Sequence, residues 1–176
     1  IPKNKKVIFF SAQDIDDKRK GFIYFEKIIK KLSHNDKFYF ISLGKKNSDL
    51  LNITNHKHFD FLSNDKTAEL YSLSDIYICT SVIDNLPLTI LEALSSGNLV
   101  ISFKNGGSEE VLKNIGYTFE ISSIMKMIKF LENLSDEKIK QKSMLARKFA
   151  VKNFNNKVIK KQYLRIYKSI NNYFLG

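Results

Sequence analysis

Two carboxylates eight positions apart carry the clearest chemical signal in this chain. Asp84 and Glu92 lie in the segment 81–97, which reads SVIDNLPLTILEALSSG. The residues before it, DIYICT, are typical of a strand, Pro87 favours the first position of a helix, and Gly97 favours its end. We therefore expect Asp84 in a strand-to-helix turn and Glu92 about a turn and a half inside the helix. Such carboxylates can accept hydrogen bonds from hydroxyl groups, and free backbone N–H groups in the turn suit an anion such as phosphate.

A basic segment forms the second candidate site. The run Asp17-Lys18-Arg19-Lys20-Gly21 follows the first predicted strand and precedes a helix. Cationic side chains beside a helix amino terminus can hold a diphosphate and stabilise negative charge on a leaving group. The alternative is a solvated charge run with no ligand.

Three glycines complete the set of candidate site residues. Gly106-Gly107 permits close backbone approach before a helix start at Ser108, although a plain turn fits equally well. Gly44 follows the second predicted strand and either faces a ligand or forms a turn.

The elements that position these residues alternate between strands and helices. Short apolar runs predict six strands, and apolar positions at helical spacing predict the helices between them. This alternation predicts an α/β fold with a doubly wound parallel sheet and a helical carboxyl-terminal segment, in one domain spanning 1–176. The predicted strands are 6–11, 38–43, 58–61, 75–80, 99–103 and 117–119. The predicted helices are 21–32, 49–51, 66–73, 87–97, 121–134, 136–152 and 156–174.

Composition narrows the class of protein. Of the 176 residues, 43% are hydrophobic and 27% are charged, which excludes wholesale disorder. The single cysteine, Cys79, lies in a predicted buried strand, so a disulfide framework is not expected and a reducing, cytoplasmic location fits. The three histidines are not at metal-ligand spacing, and we predict no metal site.

The net charge of +11 has two interpretations. Lysine-covered helices explain it most simply. Attraction to phosphates, nucleic acid or an anionic membrane surface is the alternative, which leaves peripheral association with the inner face of the plasma membrane open. No zinc spacing, RNP motif or basic-aromatic repeat supports nucleic-acid binding.

The acidic segment resembles that of the family-4 retaining glycosyltransferases: Glu, seven residues, Glu, then Ala and a run of small residues ending in Gly. Asp84-Asn-Leu-Pro87 resembles the Glu-Asn-Leu-Pro form of bacterial polysaccharide enzymes, with Asp84 departing from the usual Glu. Gly106-Gly107-Ser-Glu-Glu110-Val stands in place of the family's Gly-Gly-x-x-Glu-Val. Lys20-Gly21 matches its Lys-Gly, whereas Ser11-Ala12 replaces the Gly that precedes its upstream Arg.

This resemblance implies the carboxyl-terminal, donor-binding half of a two-domain GT-B enzyme, whose acceptor half normally precedes it. The implied donor is a nucleoside-diphosphate sugar, a UDP-sugar first and a GDP-sugar second, with no cofactor. The acceptor would be a glycan or a lipid-linked glycan of a bacterial surface polysaccharide or lipopolysaccharide. In the full enzyme the last helix would cross toward the other half, so its apolar positions are expected to be underburied. These are Val158, Tyr163, Ile166, Tyr167, Ile170 and Phe174.

The resemblance also implies roles for individual residues. Lys20, with Arg19 in place of the upstream Arg, would neutralise the departing phosphate, and Glu92 would bind the ribose hydroxyls. Asp84 would lie near the transferred sugar ring. The other donor-binding residues it implies are Asn85, Leu86, Leu88, Gly106, Gly107, Glu110 and Gly44.

Three rival interpretations remain, one of which is a membrane-surface module, as the net charge allows. A GT-B sugar-nucleotide 2-epimerase would need further acid/base residues across the cleft. A flavodoxin-like, non-enzymatic interaction domain would use the acids after the first strand, Asp14, Asp16 and Asp17, but would leave 84–97 unexplained.

Overall fold

The computed structural model describes residue 2, residues 4–46 and residues 53–175, with side chains described as far as Ile170. Its strands are β1 (Lys6–Asp14), β2 (Phe38–Lys45), β3 (His56–Phe59), β4 (Ile76–Cys79), β5 (Leu99–Phe103) and β6 (Tyr117–Phe119). Its helices are α1 (Phe22–Leu32), α2 (Asn64–Leu73), α3 (Leu88–Ser96), α4 (Gly107–Leu112), α5 (Ile124–Glu132), α6 (Asp136–Asn153) and α7 (Asn156–Leu175).

The strands form one parallel sheet in the order β3-β2-β1-β4-β5-β6. The chain runs outward from β1 to β3 and then returns to the other side of β1 with β4. The strand order therefore reverses between β1 and β4, and in open α/β sheets ligands bind at such a reversal, beyond the carboxyl ends of the strands. The doubly wound parallel sheet predicted from the sequence is confirmed.

Alternate residues of the central strands β1, β2, β4 and β5 enter two separate cores, because successive side chains point to opposite faces of a sheet. In β1, Ile8 and Phe10 pack with α1 and α5, whereas Val7 and Phe9 pack with α2, α3 and α6. All four side chains are buried, as is Cys79 in β4, as predicted. Burial on both faces explains why these four strands read as largely apolar runs.

Some boundaries differ from the predicted ones. The third strand begins at His56, two residues earlier than predicted, because His56 pairs with Phe40 of β2. The first strand continues past Ser11 to Asp14 through an irregularity in its pairing with β2. The predicted short helix at 49–51 lies outside the described residues.

The last helix is underburied, as predicted. Tyr163, Ile166, Tyr167 and Ile170 are all exposed, and Val158 is half-buried. The side chain of Phe174 lies outside the described part of the chain. Within residues 4–46 and 53–175, no helix has both the length and the apolar character needed to cross a membrane.

A buried polar cluster joins β2 to β3. The hydroxyl oxygen of Ser42 lies 2.8 Å from Nε2 of His56 and 2.8 Å from Nδ1 of His58. Burial, together with the neighbouring His58 and Lys46, lowers the pKa of His56 to about 4. The folded protein therefore favours a neutral imidazole at this position.

This cluster predicts a loss of stability in acid. An unfolded histidine takes up a proton near pH 6.5, whereas His56 in the folded chain does so only near pH 4. Stability is thus complete above pH 6.5 and falls between pH 6.5 and pH 4, by up to about 2 kcal/mol after allowance for partial exposure of the ring. Urea unfolding at pH 7 and pH 4.5 measures this fall. We expect a smaller fall in His56→Gln, and an equal fall in both proteins would contradict the prediction.

Candidate functional site

The two loops at the strand-order reversal are fastened to each other. The loop after β1 contains a 3-10 turn at Lys18–Lys20 and ends at Gly21, whose φ is +67°. A Cβ on Gly21 would lie 2.0 Å from the carbonyl oxygen of Thr80, in the loop after β4, so only glycine permits this approach. The backbone N–H of Val82 donates to the carbonyl oxygen of Arg19 at 2.7 Å. The loops after β1 and β4 are therefore held together at the strand-order reversal.

Lys20, in the loop after β1, forms an ion pair with Asp84, in the loop after β4. The ammonium nitrogen of Lys20 lies 2.8 Å from Oδ2 of Asp84. The two side chains are 34% and 18% exposed, so the pair is shielded but open to a ligand. The Lys20 ammonium has three N–H donors, so it can bind an anionic ligand beside Asp84 or in its place. The structure thus brings together Lys20 and Asp84, for which the resemblance implies roles at the phosphate and the sugar.

Arg19 points to a different partner. Its guanidinium forms a two-point contact with Asp17, in which Nη2 lies 2.8 Å from Oδ2 and Nε lies 3.1 Å from Oδ1. This contact raises the pKa of Arg19 and lowers the pKa of Asp17. The side chain of Arg19 is 70% exposed. Its proposed part in phosphate binding remains a prediction, and it would require the guanidinium to leave Asp17.

A third loop, between β5 and α4, holds the Asp84 segment in place. Gly106 has φ +42°, and a Cβ there would lie 2.5 Å from the carbonyl oxygen of Asn85 and 2.7 Å from that of Asp84. The N–H of Gly107 donates to the carbonyl oxygen of Asn85. The N–H of Gly107 therefore already has an acceptor within the protein. The two glycines allow the loop after β5 to pack closely against the backbone of Asp84 and Asn85. Leu86 lies half-buried against Gly107.

Glu92 lies on the second turn of α3 and is fixed by a residue that the sequence analysis missed. The hydroxyl of Tyr71 donates to Oε2 of Glu92 at 2.9 Å, and it lies 2.9 Å from the hydroxyl oxygen of Ser11. Tyr77 joins the same chain through Ser11 at 3.2 Å. Tyr71 is 3% exposed, and burial raises the pKa of its hydroxyl above the ordinary range, which keeps it a donor. Glu92 is exposed, although Ile90, Ala93 and Leu94 on the same helix are buried.

The remaining predicted residues lie apart from this arrangement. Leu88 is 71% exposed at the start of α3. Glu110 is exposed on α4 and lines a surface depression with Gly106 and Lys113. Gly44 lies inside β2 and not in the turn after it, and a Cβ there would lie 2.0 Å from the carbonyl oxygen of Ala12. Strand packing therefore accounts for its φ of +142°.

Two further observations bear on the alternatives. Among residues 4–46 and 53–170, no group of His, Cys, Asp and Glu side chains is arranged to hold a metal ion. Asp14, the last residue of β1, accepts from the N–H of Asp16, and Asp17, in the loop after β1, accepts from the N–H of Arg19. These carboxylates thus stabilise their own loop.

Comparisons with known proteins agree with this architecture. The chain is 27% identical over 197 residues to "Uncharacterized protein 356" of Sulfolobus islandicus rod-shaped virus 1, covering 97% of this chain and 54% of that protein. A glycosyltransferase from Rickettsia africae superimposes with a TM-score of 0.78 at 25% identity, over 96% of this chain and 48% of that one. The chain thus spans about half the length of these relatives.

The same fold is seen in an isolated domain. The C-terminal domain of a glycosyl transferase group 1 family protein from Francisella tularensis gives a TM-score of 0.72 at 18% identity, over 89% of each chain. The extent of this chain therefore matches one half of a GT-B glycosyltransferase. The family model "Glycosyl transferases group 1" matches residues 1–149, and the chain belongs to that family.

Proposed function

We propose that this chain binds the nucleoside-diphosphate sugar of a retaining glycosyltransferase, with a UDP-sugar as the first candidate and a GDP-sugar as the second. The observation that carries the proposal is the Lys20–Asp84 pair at the strand-order reversal, 2.8 Å apart and accessible to a ligand. Family membership supports glycosyl transfer as the reaction. The acceptor we propose is a glycan or a lipid-linked glycan in bacterial surface polysaccharide synthesis.

The pair supplies a physical reason for coupling donor binding to catalysis. A diphosphate carries more negative charge than one carboxylate, so it competes for the Lys20 ammonium. Once Lys20 contacts the phosphate, Asp84 is available to accept a hydrogen bond from a sugar hydroxyl or to stabilise positive charge at the anomeric carbon. Glu92, held by Tyr71, would accept hydrogen bonds from the ribose hydroxyls.

In the transfer step the acceptor oxygen bonds to the anomeric carbon as the bond from that carbon to the phosphate oxygen breaks. We propose attack on the face from which the phosphate leaves, so the acceptor proton passes to the departing phosphate. Lys20 would stabilise the charge that develops on that phosphate. Much of the rate enhancement would also come from holding the acceptor close to the anomeric carbon in the correct orientation.

Calorimetric titration with UDP, GDP, ADP and their common sugars tests the proposal, first without metal and then with magnesium. We expect metal-independent binding of one nucleoside-diphosphate family and much weaker binding of the others. The same titration on a longer protein that contains this chain separates a weak half-site from a wrong assignment. Absence of binding by both proteins at millimolar nucleotide would overturn the proposal.

A further inference from the structure

A buried lysine lies beside the loop that carries Lys20. The side chain of Lys46, which follows β2, is only 5% exposed. Its ammonium nitrogen lies 3.8 Å from Oδ1 of Asp16, in the loop after β1, and 3.9 Å from Oε1 of Glu26, on α1. It also lies 4.8 Å from the centre of the ring of Phe22, the first residue of α1. One cation therefore contacts the chain both before and after Lys20.

Thermal or chemical stability alone gives no reason for a lysine at this position. Lysines are rarely this buried, and a well-packed apolar side chain in place of a buried ion pair often gives equal or higher stability. The cation also lies near the amino terminus of α1, where the helix dipole disfavours positive charge. What the Lys46 ammonium provides, and an apolar side chain does not, is attraction to two carboxylates that belong to separate elements.

This attraction fixes the start of the loop after β1. The N–H of Ile15 donates to the carbonyl oxygen of Lys45 at 3.0 Å, and the next side chain, that of Asp16, contacts the Lys46 ammonium. Asp16 directly precedes Asp17, which caps the 3-10 turn of the loop. The other end of the loop is held by the loop after β4, as described above. Lys20 thus lies between two fixed points, one of which depends on the lysine after β2.

We propose that Lys46 is a positioning residue for Lys20. By pairing with Asp16 and Glu26 it fixes the loop after β1 against β2 and α1, so the Lys20 ammonium is in place before a nucleotide phosphate arrives. A loop held in this way loses less conformational freedom on binding, which favours affinity. Lys46 acts through Lys20 and not on the ligand, because its own side chain is covered. The inference rests on the proposed function for the identity of that ligand.

Asp16→Ala and Glu26→Ala form a matched pair that tests the proposal on the whole chain. Each variant removes one carboxylate from Lys46, but only Asp16→Ala releases the loop. Titration calorimetry with the nucleoside diphosphate that the wild type binds should show about fivefold weaker binding by Asp16→Ala, the effect of one partly exposed ion pair. Glu26→Ala should bind as the wild type does. Loss of a negative charge would by itself favour an anionic ligand, so weaker binding cannot come from net charge.

A double variant shows whether the effect passes through Lys20. In the Lys20→Ala background, Asp16→Ala should cause no further loss of affinity, because the group that the loop positions is already absent. Lys46→Met should weaken binding in the wild-type background as Asp16→Ala does, and it too should have no effect in the Lys20→Ala background. Far-ultraviolet circular dichroism checks that each variant is folded.

Amide hydrogen exchange measures the order of the loop without any nucleotide. The N–H of Lys20 donates to the carbonyl oxygen of Asp17, and the N–H of Gly21 to that of Lys18. Both should exchange about tenfold faster in Asp16→Ala, because the loop opens more readily, and at the wild-type rate in Glu26→Ala. If the wild type binds no nucleoside diphosphate, the proposed function fails, whereas the exchange rates still decide whether this ion pair orders the loop.

Three results would overturn the proposal. One is wild-type exchange at Lys20 and Gly21 in Asp16→Ala, since the loop would then keep its order without the ion pair. Another is an equal fall in nucleotide affinity in Glu26→Ala, since release of the loop would then not be the cause. The third is a further fall when Asp16→Ala is added to Lys20→Ala, because Lys46 and its partners would then act by a route other than Lys20.

Discussion

Lys20→Ala is expected to lower the affinity of the chain for its nucleoside diphosphate by about 10- to 100-fold, the range for loss of one hydrogen bond to a charged group. Lys20 already makes such a contact with Asp84, which shows that its ammonium reaches the loop after β4. The variant loses the cation and also leaves the Asp84 carboxylate unpaired beside the phosphate site. Titration calorimetry measures the change, and Lys18→Ala, in the same 3-10 turn, is the matched control.

Asp84→Asn should act in the opposite direction. Removing the carboxylate frees Lys20 from a competing anion, so nucleoside-diphosphate affinity should rise by roughly fivefold, which corresponds to the ~1 kcal/mol of a partly exposed ion pair. Sugar transfer by a longer protein containing this chain should nevertheless fall, because Asp84 is proposed to act on the sugar. Loss of nucleotide affinity in Asp84→Asn as large as in Lys20→Ala would contradict the exchange of partners.

The double variant Lys20→Ala, Asp84→Asn separates the two parts of the Lys20→Ala effect. Repulsion by the unpaired carboxylate is absent in it, so part of the lost affinity should return. If the double variant binds as weakly as Lys20→Ala alone, the lost cation accounts for the whole effect.

The sheet could be predicted from the sequence because its four central strands are buried on both faces. Runs such as Val7–Phe10 and Leu99–Phe103 consist of apolar or small residues only. In the segments between the strands, apolar residues recur at helical spacing. The predicted start of the four-residue strand β3 is two residues late, because His56 and Lys57 carry no apolar signal. Its position depends on pairing with β2 and on the Ser42 hydroxyl between the two imidazoles.

The sequence predicts which loops carry the candidate site residues, but it does not predict which side chains contact one another. Lys20 and Asp84 are 64 residues apart, and only the strand order brings their loops together. Arg19 contacts Asp17 because the Asp17 side chain caps the 3-10 turn and accepts from the backbone N–H of Arg19. Composition alone does not reveal this contact. Tyr71 was overlooked because a tyrosine on the buried side of a helix looks the same as any core aromatic. Its role requires the packing of α2 beside α3.

Glu92→Gln is expected to weaken binding of a nucleoside diphosphate by about tenfold, as the loss of one charged hydrogen-bond acceptor would. A carboxylate has two oxygens that both accept, and two adjacent ribose hydroxyls both donate. An amide has only one accepting oxygen, so one hydroxyl loses its partner. A 2′,3′-dideoxy nucleoside diphosphate provides the control, since wild type and Glu92→Gln should bind this analogue equally.

Tyr71→Phe tests whether the carboxylate must be held in place. The hydroxyl that donates to Oε2 of Glu92 is lost, so Glu92 gains rotational freedom that ribose binding must then remove. We expect nucleotide affinity to fall by roughly threefold, with no change for the dideoxy analogue. Tyr77→Phe is the matched control, because its hydroxyl joins the same chain through Ser11 without touching Glu92.

The two tyrosine variants distinguish positioning from simple loss of stability. Both remove a buried hydroxyl from one network, and each should lower the free energy of unfolding by about 1 kcal/mol in urea. Only Tyr71→Phe should also reduce the preference for ribose over dideoxyribose. A similar reduction in Tyr77→Phe would mean that the network acts through the general rigidity of β1, α2 and β4. An unchanged preference in Tyr71→Phe would mean that Glu92 reaches its ligand without this support.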